Sequence, residues 1–179
     1  MTPIKITTIP IYPSTNVRST QNEKWLFRVS EEYLEDLDAK RVETHGKPGH
    51  LAARKRQLDK YNFYKEELRN WARKNEFAMP IGYFAVHFHV PFPQSWRKPK
   101  RLEMDGKPHM NTPDADNYIK ALFDGIMPRR NRIAGQKGSD DRKIHCYTMF
   151  KTWVPEGEEK IIIVEYDPDE YIDTFRIIK

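Results

Sequence analysis

One cysteine, Cys146, is all the thiol chemistry in a chain of 179 residues. A lone thiol cannot close an internal disulfide, so a disulfide framework and a cysteine-rich zinc site are both excluded, and a reducing cytoplasm is the matching compartment. Long hydrophobic runs are missing as well. No apolar stretch approaches the roughly 20 residues a membrane-spanning helix needs, and the opening MTPIKITTIPIYP has no basic-then-apolar signal layout. The expectation is a soluble, cytoplasmic protein without membrane attachment. Glycine-rich loops after a strand are also lacking, which leaves a nucleotide-binding reading without support. There is no internal repeat and no low-complexity tract.

Aromatic residues are what the chain has in quantity: nine Tyr, nine Phe and four Trp, enough to build a core in a chain of one-domain length. Residues 1–179 are therefore expected to form a single domain. The formal net charge is only +5, but its placement is uneven, and placement decides how a polyanion is met.

Hydrophobic periodicity divides the chain into elements. Ile4 to Tyr12 alternates and stops at Pro13, a first strand. Ser14 to Arg28 reads as irregular and polar. Ser30 can cap a helix that begins with Glu31 and Glu32, where acidic side chains complement the helix dipole. The stretch THGKPG from Thr44 breaks it. A long helix is predicted over Leu51 to Asn75, with Leu58, Tyr61, Tyr64, Leu68 and Trp71 on one stripe. Ile81 to Val90 is the clearest strand: Phe84, Val86, Phe88 and Val90 share one face, and Tyr83, Ala85, His87 and His89 share the other. The proline-punctuated segment from Pro91 to Pro113 reads as an exposed loop, and a helix opens near Asp114. A strand near Ile144 to Val154, a turn at Pro155 to Glu158 and a last strand from Lys160 to Tyr166 complete the order. The continuous apolar run of that last strand predicts burial on both faces. This order fits an α/β (α+β) architecture, a small mixed sheet of about four strands packed against helices.

The chemistry concentrates in the stretch NTPDADNYIKALFDGIM, residues Asn111 to Met127. Ile119, Leu122, Phe123 and Ile126 converge on one helical face, and Asp116, Lys120 and Asp124 form a stripe beside it. A plain account exists: first-turn aspartates complement the dipole, and Asp116 with Lys120 is an i,i+4 pair contributing roughly 0.2–0.5 kcal/mol. That account does not explain Asp114 and Asp116 both as caps, nor the second acidic pair, Asp140 and Asp141, ahead of the next strand. Clustered carboxylates repel one another unless a cation neutralises them. Oxygen-only donors suit Mg²⁺ or Mn²⁺, which take one or two carboxylates and a phosphate oxygen, and such an ion activates water. Lys120 supplies a point charge for a phosphate.

The run DADNYIKALFD followed by SDDRKI ahead of a strand resembles the signature of the RusA-like Holliday junction resolvases, D-x-D-N-x-x-K-x-x-x-D and then D-D-x-Q before a hydrophobic residue. The resemblance implies a small α/β fold, a homodimer, and Mg²⁺-dependent endodeoxyribonuclease activity on four-way DNA junctions in recombination and repair; many such proteins are encoded by phages or prophages. Residue by residue it implies Asp114, Asp116 and Asp141 as metal ligands and Lys120 as the catalytic lysine. Lys143 stands where the signature has Gln, Thr112-Pro113 replaces a basic lead-in, and residues 18–57 form an enlarged helical and loop region.

Two basic segments flank this acidic stretch: Arg97, Lys98, Lys100 and Arg101 before it, beside Trp96, and Arg129, Arg130, Arg132 and Lys137 after it. Cations holding phosphates around carboxylates is the layout a nuclease needs. Trp96, among those cations, is placed to stack on an unpaired base. Arg54, Lys55 and Arg56 read as a solvated helix face, and His87 with His89 as ordinary polar residues of a half-exposed strand. Two other readings stay open: a nuclease for flaps, forks or other branched DNA, and a non-catalytic DNA-binding module.

Overall fold

The computed structural model describes residues 3–15, 21–45, 49–80, 82–127 and 146–167. Strand β1 runs Pro3–Ile9 and ends where Pro10 removes a ladder donor. A 3-10 helix, Gln21–Arg28, occupies the segment expected to be irregular. Its Leu26 is buried beneath the helices that follow, which is what the polar composition around it concealed. Helix α1 spans Glu31–His45 and starts as expected, with the Tyr33 amide donating to Ser30 Oγ at 3.2 Å. Helix α2 spans Leu51–Lys74 and buries Leu58, Tyr61, Tyr64 and Leu68, while Trp71 packs half-buried at the edge.

Strand β2 is Tyr83–Pro91, β3 is Cys146–Val154 and β4 is Lys160–Tyr166. The four form one mixed sheet in the order β1-β4-β2-β3. β1 and β2 flank β4 antiparallel, and β2 pairs with β3 in parallel. The turn between β3 and β4 closes with the Glu158 amide donating to the Pro155 carbonyl at 3.1 Å. Gly157 carries φ +92° there, the left-handed geometry that the third position of a type II turn requires.

Between β2 and the motif helix, the expected loop contains a further helix, α3, Lys98–Met104. Pro99 sits in its first turn, where a missing N–H costs nothing, so the proline that suggested a loop instead starts a helix. Helix α4 follows at Ala115–Ile126. The arrangement is an α+β fold, with helices against one face of a four-stranded mixed sheet.

Cross-strand register sorts the faces. Phe84, Val86 and Phe88 of β2, with Ile161 and Ile163 of β4, lie in the core with Tyr61, Tyr64 and Leu68 of α2 and Ile119 and Leu122 of α4. The opposite face carries Ile6, Ile162, Val164, Ala85, His87 and Phe150, of which Ile6 and Phe150 are exposed. The two-sided burial expected of β4 is therefore corrected: Ile161 and Ile163 are fully buried, but Ile162 and Val164 stay partly open to solvent. An apolar run shows what a strand tolerates, whereas the helices decide which face is covered.

The enlarged region before α2 builds its own small core from Leu26, Leu34, Ala52 and Leu58. Arg54 bonds Glu23 at 2.8 Å, Lys55 bonds Asp59 at 2.8 Å, and Arg56 pairs with Glu31 and Glu35. The basic start of α2 is thus taken up in local ion pairs.

Candidate active site

The carboxylate end of α4 is built by the chain that leads into it. Residues 106–109 lie along the outer edge of β3: the Gly106 amide donates to Trp153 O at 3.0 Å, Trp153 N–H to Lys107 O at 3.0 Å, and His109 N–H to Lys151 O at 2.9 Å. His109 is buried and its ring stacks on Trp153 with centroids 3.9 Å apart. Next, Lys151 donates from Nζ to the Pro113 carbonyl at 2.8 Å and to the Asn111 carbonyl at 3.2 Å, and sits 5.6 Å from the centre of the Tyr118 ring. The Thr112-Pro113 bond is cis. These contacts fix the direction in which α4 begins.

Asp114 is the N-cap residue of α4 and has extended backbone angles. Its carboxylate makes no capping hydrogen bond, although its carbonyl accepts from the Asn117 amide at 3.1 Å. The side chain is exposed to solvent. Burial lowers the Lys151 ammonium pKa, and the nearby negative charge of Asp114 opposes that shift. Asp116 accepts from Lys120 Nζ at 2.6 Å, and the two side chains are 55% and 43% exposed. A pair so solvated contributes at most about 1 kcal/mol. Asp124, the third member of the stripe, faces other work: it accepts from the Tyr61 hydroxyl at 2.8 Å, and its backbone carbonyl accepts from Arg69 Nη2 at 3.3 Å. It ties α4 to α2.

Asp114, Asp116 and Lys120 thus gather at the first turns of one helix. Asp140 and Asp141 lie outside the described residues, as do Arg129, Arg130, Arg132 and Lys137. Among the described residues no group of three His, Cys, Asp or Glu side chains is arranged to hold a metal ion. Two hard-oxygen carboxylates at one helix end match the donor chemistry of Mg²⁺ or Mn²⁺, which needs only one or two such ligands from protein.

Of the cations expected ahead of the motif, Arg97 caps α3 and is exposed, as are Lys98 and Lys100. Lys100 reaches Glu103 at 3.4 Å. Arg101 turns inward and donates to the carbonyls of Trp96 at 2.8 Å and Gln94 at 2.9 Å, bracing the lead-in to its own helix. Trp96 is half-buried against Trp153 at 4.8 Å and Phe92 at 6.1 Å, so its ring belongs to an aromatic cluster of the protein. His87 lies 4.5 Å from Phe150 on the open sheet face.

Sequence reasoning missed Lys151 and His109. The signal for Lys151 was present, since alternation in CYTMFKTWV sets a lysine on the core face between Met149 and Trp153. His109 carried no such signal, because its burial depends on a segment that joins the edge of β3 without a strand-like sequence.

No helix among the described residues is long and apolar enough to cross a membrane. No curated protein and no solved structure matches the chain. A family model, Endodeoxyribonuclease RusA, matches residues 40–164, a span that takes in α2, the sheet strands β2 and β3, and the whole of α4. With well over half its length matched, and with the acidic helix inside the match, the chain belongs to the RusA family of endodeoxyribonucleases.

Proposed function

We propose that the protein hydrolyses phosphodiester bonds in branched DNA, with the four-way (Holliday) junctions of recombination and repair as its substrate. The observation that carries this reading is Asp114, an exposed carboxylate with no capping role, at the head of the helix where Asp116 holds Lys120 at 2.6 Å. Asp114 and Asp116, joined by Asp141, would hold the metal, Mg²⁺ or in its place Mn²⁺. Bound there, the ion supplies a water of lowered pKa and neutralises charge on the scissile phosphate.

The chain's own residues do the rest. Lys120 exchanges Asp116 for a phosphate oxygen and stabilises the added negative charge as the phosphorus becomes five-coordinate. Lys151 holds the Pro113 carbonyl and so keeps the acidic turn in register with the sheet. Arg97, Lys98 and Lys100 contact phosphates to one side, and Arg129, Arg130 and Arg132 are assigned to the strand beyond. Arg101 contributes by bracing this basic face. A homodimer completes the proposal, one subunit nicking each of two symmetry-related strands; its mass in solution is read by sedimentation equilibrium.

A labelled synthetic junction tests the chemistry. Cleavage is expected with Mg²⁺ and not with chelator, and Asp116→Asn should abolish it. Lys120→Ala should slow cleavage by about 10²–10³-fold with junction affinity within a few-fold of wild type. Cleavage that survives chelation, or loss of Asp116, sinks the assignment. Flaps and forks run beside the junction decide whether other branched DNA is the substrate. One observation favours a second reading, a DNA-binding module without catalysis: the Asp116–Lys120 pair is also what a solvated helix face forms. Tight junction binding with no cleavage under any divalent ion selects that reading.

A further inference from the structure

At the ends of β2 and β3, beside the first turn of α4, a cavity of about 480 Å³ opens to the surface. Tyr12 and Phe92 are its accessible rings, set among Val90, Pro91 and Pro93, while the buried rings of His109, Tyr118 and Trp153, each 4% exposed, back it. Phe92 and Trp153 lie with centroids 6.5 Å apart, His109 stacks on Trp153, and Tyr118 meets His109 edge-on at 6.2 Å. Gln94, Glu156 and Glu159 bring polar groups to the same cavity. Burial, with the charge of Lys151 behind it, lowers the His109 pKa.

That lining selects its occupant. Carboxylates among the wall residues disfavour a phosphate, and the accessible rings of Tyr12 and Phe92 favour a flat heterocycle over an aliphatic chain. Carboxylates and a primary amide also match the amino and imino N–H groups along a base edge. Position narrows the choice further. Tyr118, which lines the cavity, lies one helical turn beyond Asp114, and Gln94 accepts from Arg101 of the basic helix. A phosphate held between the α3 cations and the α4 carboxylates therefore has this cavity beside it.

We propose that the cavity receives one unstacked nucleobase of branched DNA, held against Tyr12 and Phe92 next to the phosphodiester to be cut. The inference rests on the DNA reading given above. A base at a branch point is already poorly stacked, so extruding it costs less than from a continuous duplex. The pocket then favours branched DNA over linear DNA without reading the junction's overall shape.

Tyr12 is 55% exposed, so its replacement leaves the core untouched. The test measures affinity for a four-way junction and for a linear duplex in chelator, where cleavage plays no part. Tyr12→Ala should weaken junction binding by about 5- to 150-fold, the range for losing one base stack, and leave duplex binding unchanged; Tyr12→Phe, which keeps the ring, should bind both as wild type does. In parallel, 2-aminopurine placed in turn at each branch-point position should change its emission on binding wild type at one position, and this change should vanish with Tyr12→Ala. Equal losses on junction and duplex, no loss on either, or unaltered emission at every position overturn the proposal. A wild-type chain that binds no DNA overturns both readings, whereas base capture without cleavage in Mg²⁺ removes catalysis and leaves the pocket standing.

Discussion

Tyr61 shows how a single side chain can serve two layers at once. Its ring belongs to the central core, and its hydroxyl donates to Asp124 on the neighbouring helix. Burial first, and then the hydrogen bond to Asp124, raises its pKa far above the ordinary value of 10.0. The folded state therefore keeps a proton that the unfolded chain releases above that pH. Stability from this group is fully present below pH 10 and is lost as pH rises beyond it, by up to about 1.4 kcal/mol per pH unit. Tyr64 and Tyr118, the latter pushed up to about 12, act in the same direction. Urea unfolding followed from pH 8 to 11 should show this decline, and Tyr61→Phe should flatten it while costing about 1 kcal/mol at neutral pH. An unchanged alkaline slope would remove Tyr61 from this role. At the same scale the acidic motif was legible, because Asp114, Asp116 and Lys120 are defined by spacing alone. The contribution of Asp124 was not, since its partner lies on a helix distant in sequence.

Between elements, α4 packs tightly on α2 at Gly125. A Cβ at Gly125 would stand 2.5 Å from Leu68 Cδ1 and 2.9 Å from Leu68 Cβ. Alanine is the better helix former in isolation, by up to about 1 kcal/mol. Here the clash outweighs that preference, and Gly125→Ala should destabilise the fold by about 1–3 kcal/mol, as measured by chemical denaturation. A neutral or stabilising outcome would show that the helices are free to part. Element boundaries read well from periodicity where one face is apolar, as in α2, β2 and α4. Helix α3 and the 3-10 helix were misread for the same physical reason: short helices are held by what they pack on, and their own sequences give a weak period. Proline in α3 compounded the error, because the residue that breaks a helix in its middle also begins one.

At the scale of the whole molecule, a net charge of +5 says little, while its distribution says more. The cations at the start of α2 are absorbed by Glu23, Glu31, Glu35 and Asp59, but Arg97, Lys98 and Lys100 stand exposed ahead of the acidic helix. Replacing these three with Gln should lower the salt dependence of DNA binding by a log–log slope of up to about 3, since each phosphate contact releases roughly one counterion. Titrations from 50 to 200 mM salt check this, and an unchanged slope would move the DNA to another face. Local spacing and periodicity in the sequence were sufficient for the helix and strand order, the α+β class, the acidic motif and the family it resembles, because each is encoded by neighbours within a few turns. Tertiary structure alone decided that Lys151 anchors the turn before Asp114, that Arg101 braces and Asp124 staples, that Ile6 and Phe150 of one sheet face stay exposed, and that aromatic residues from separate segments line an open cavity. Those outcomes depend on contacts between residues far apart in the chain, which no local pattern records.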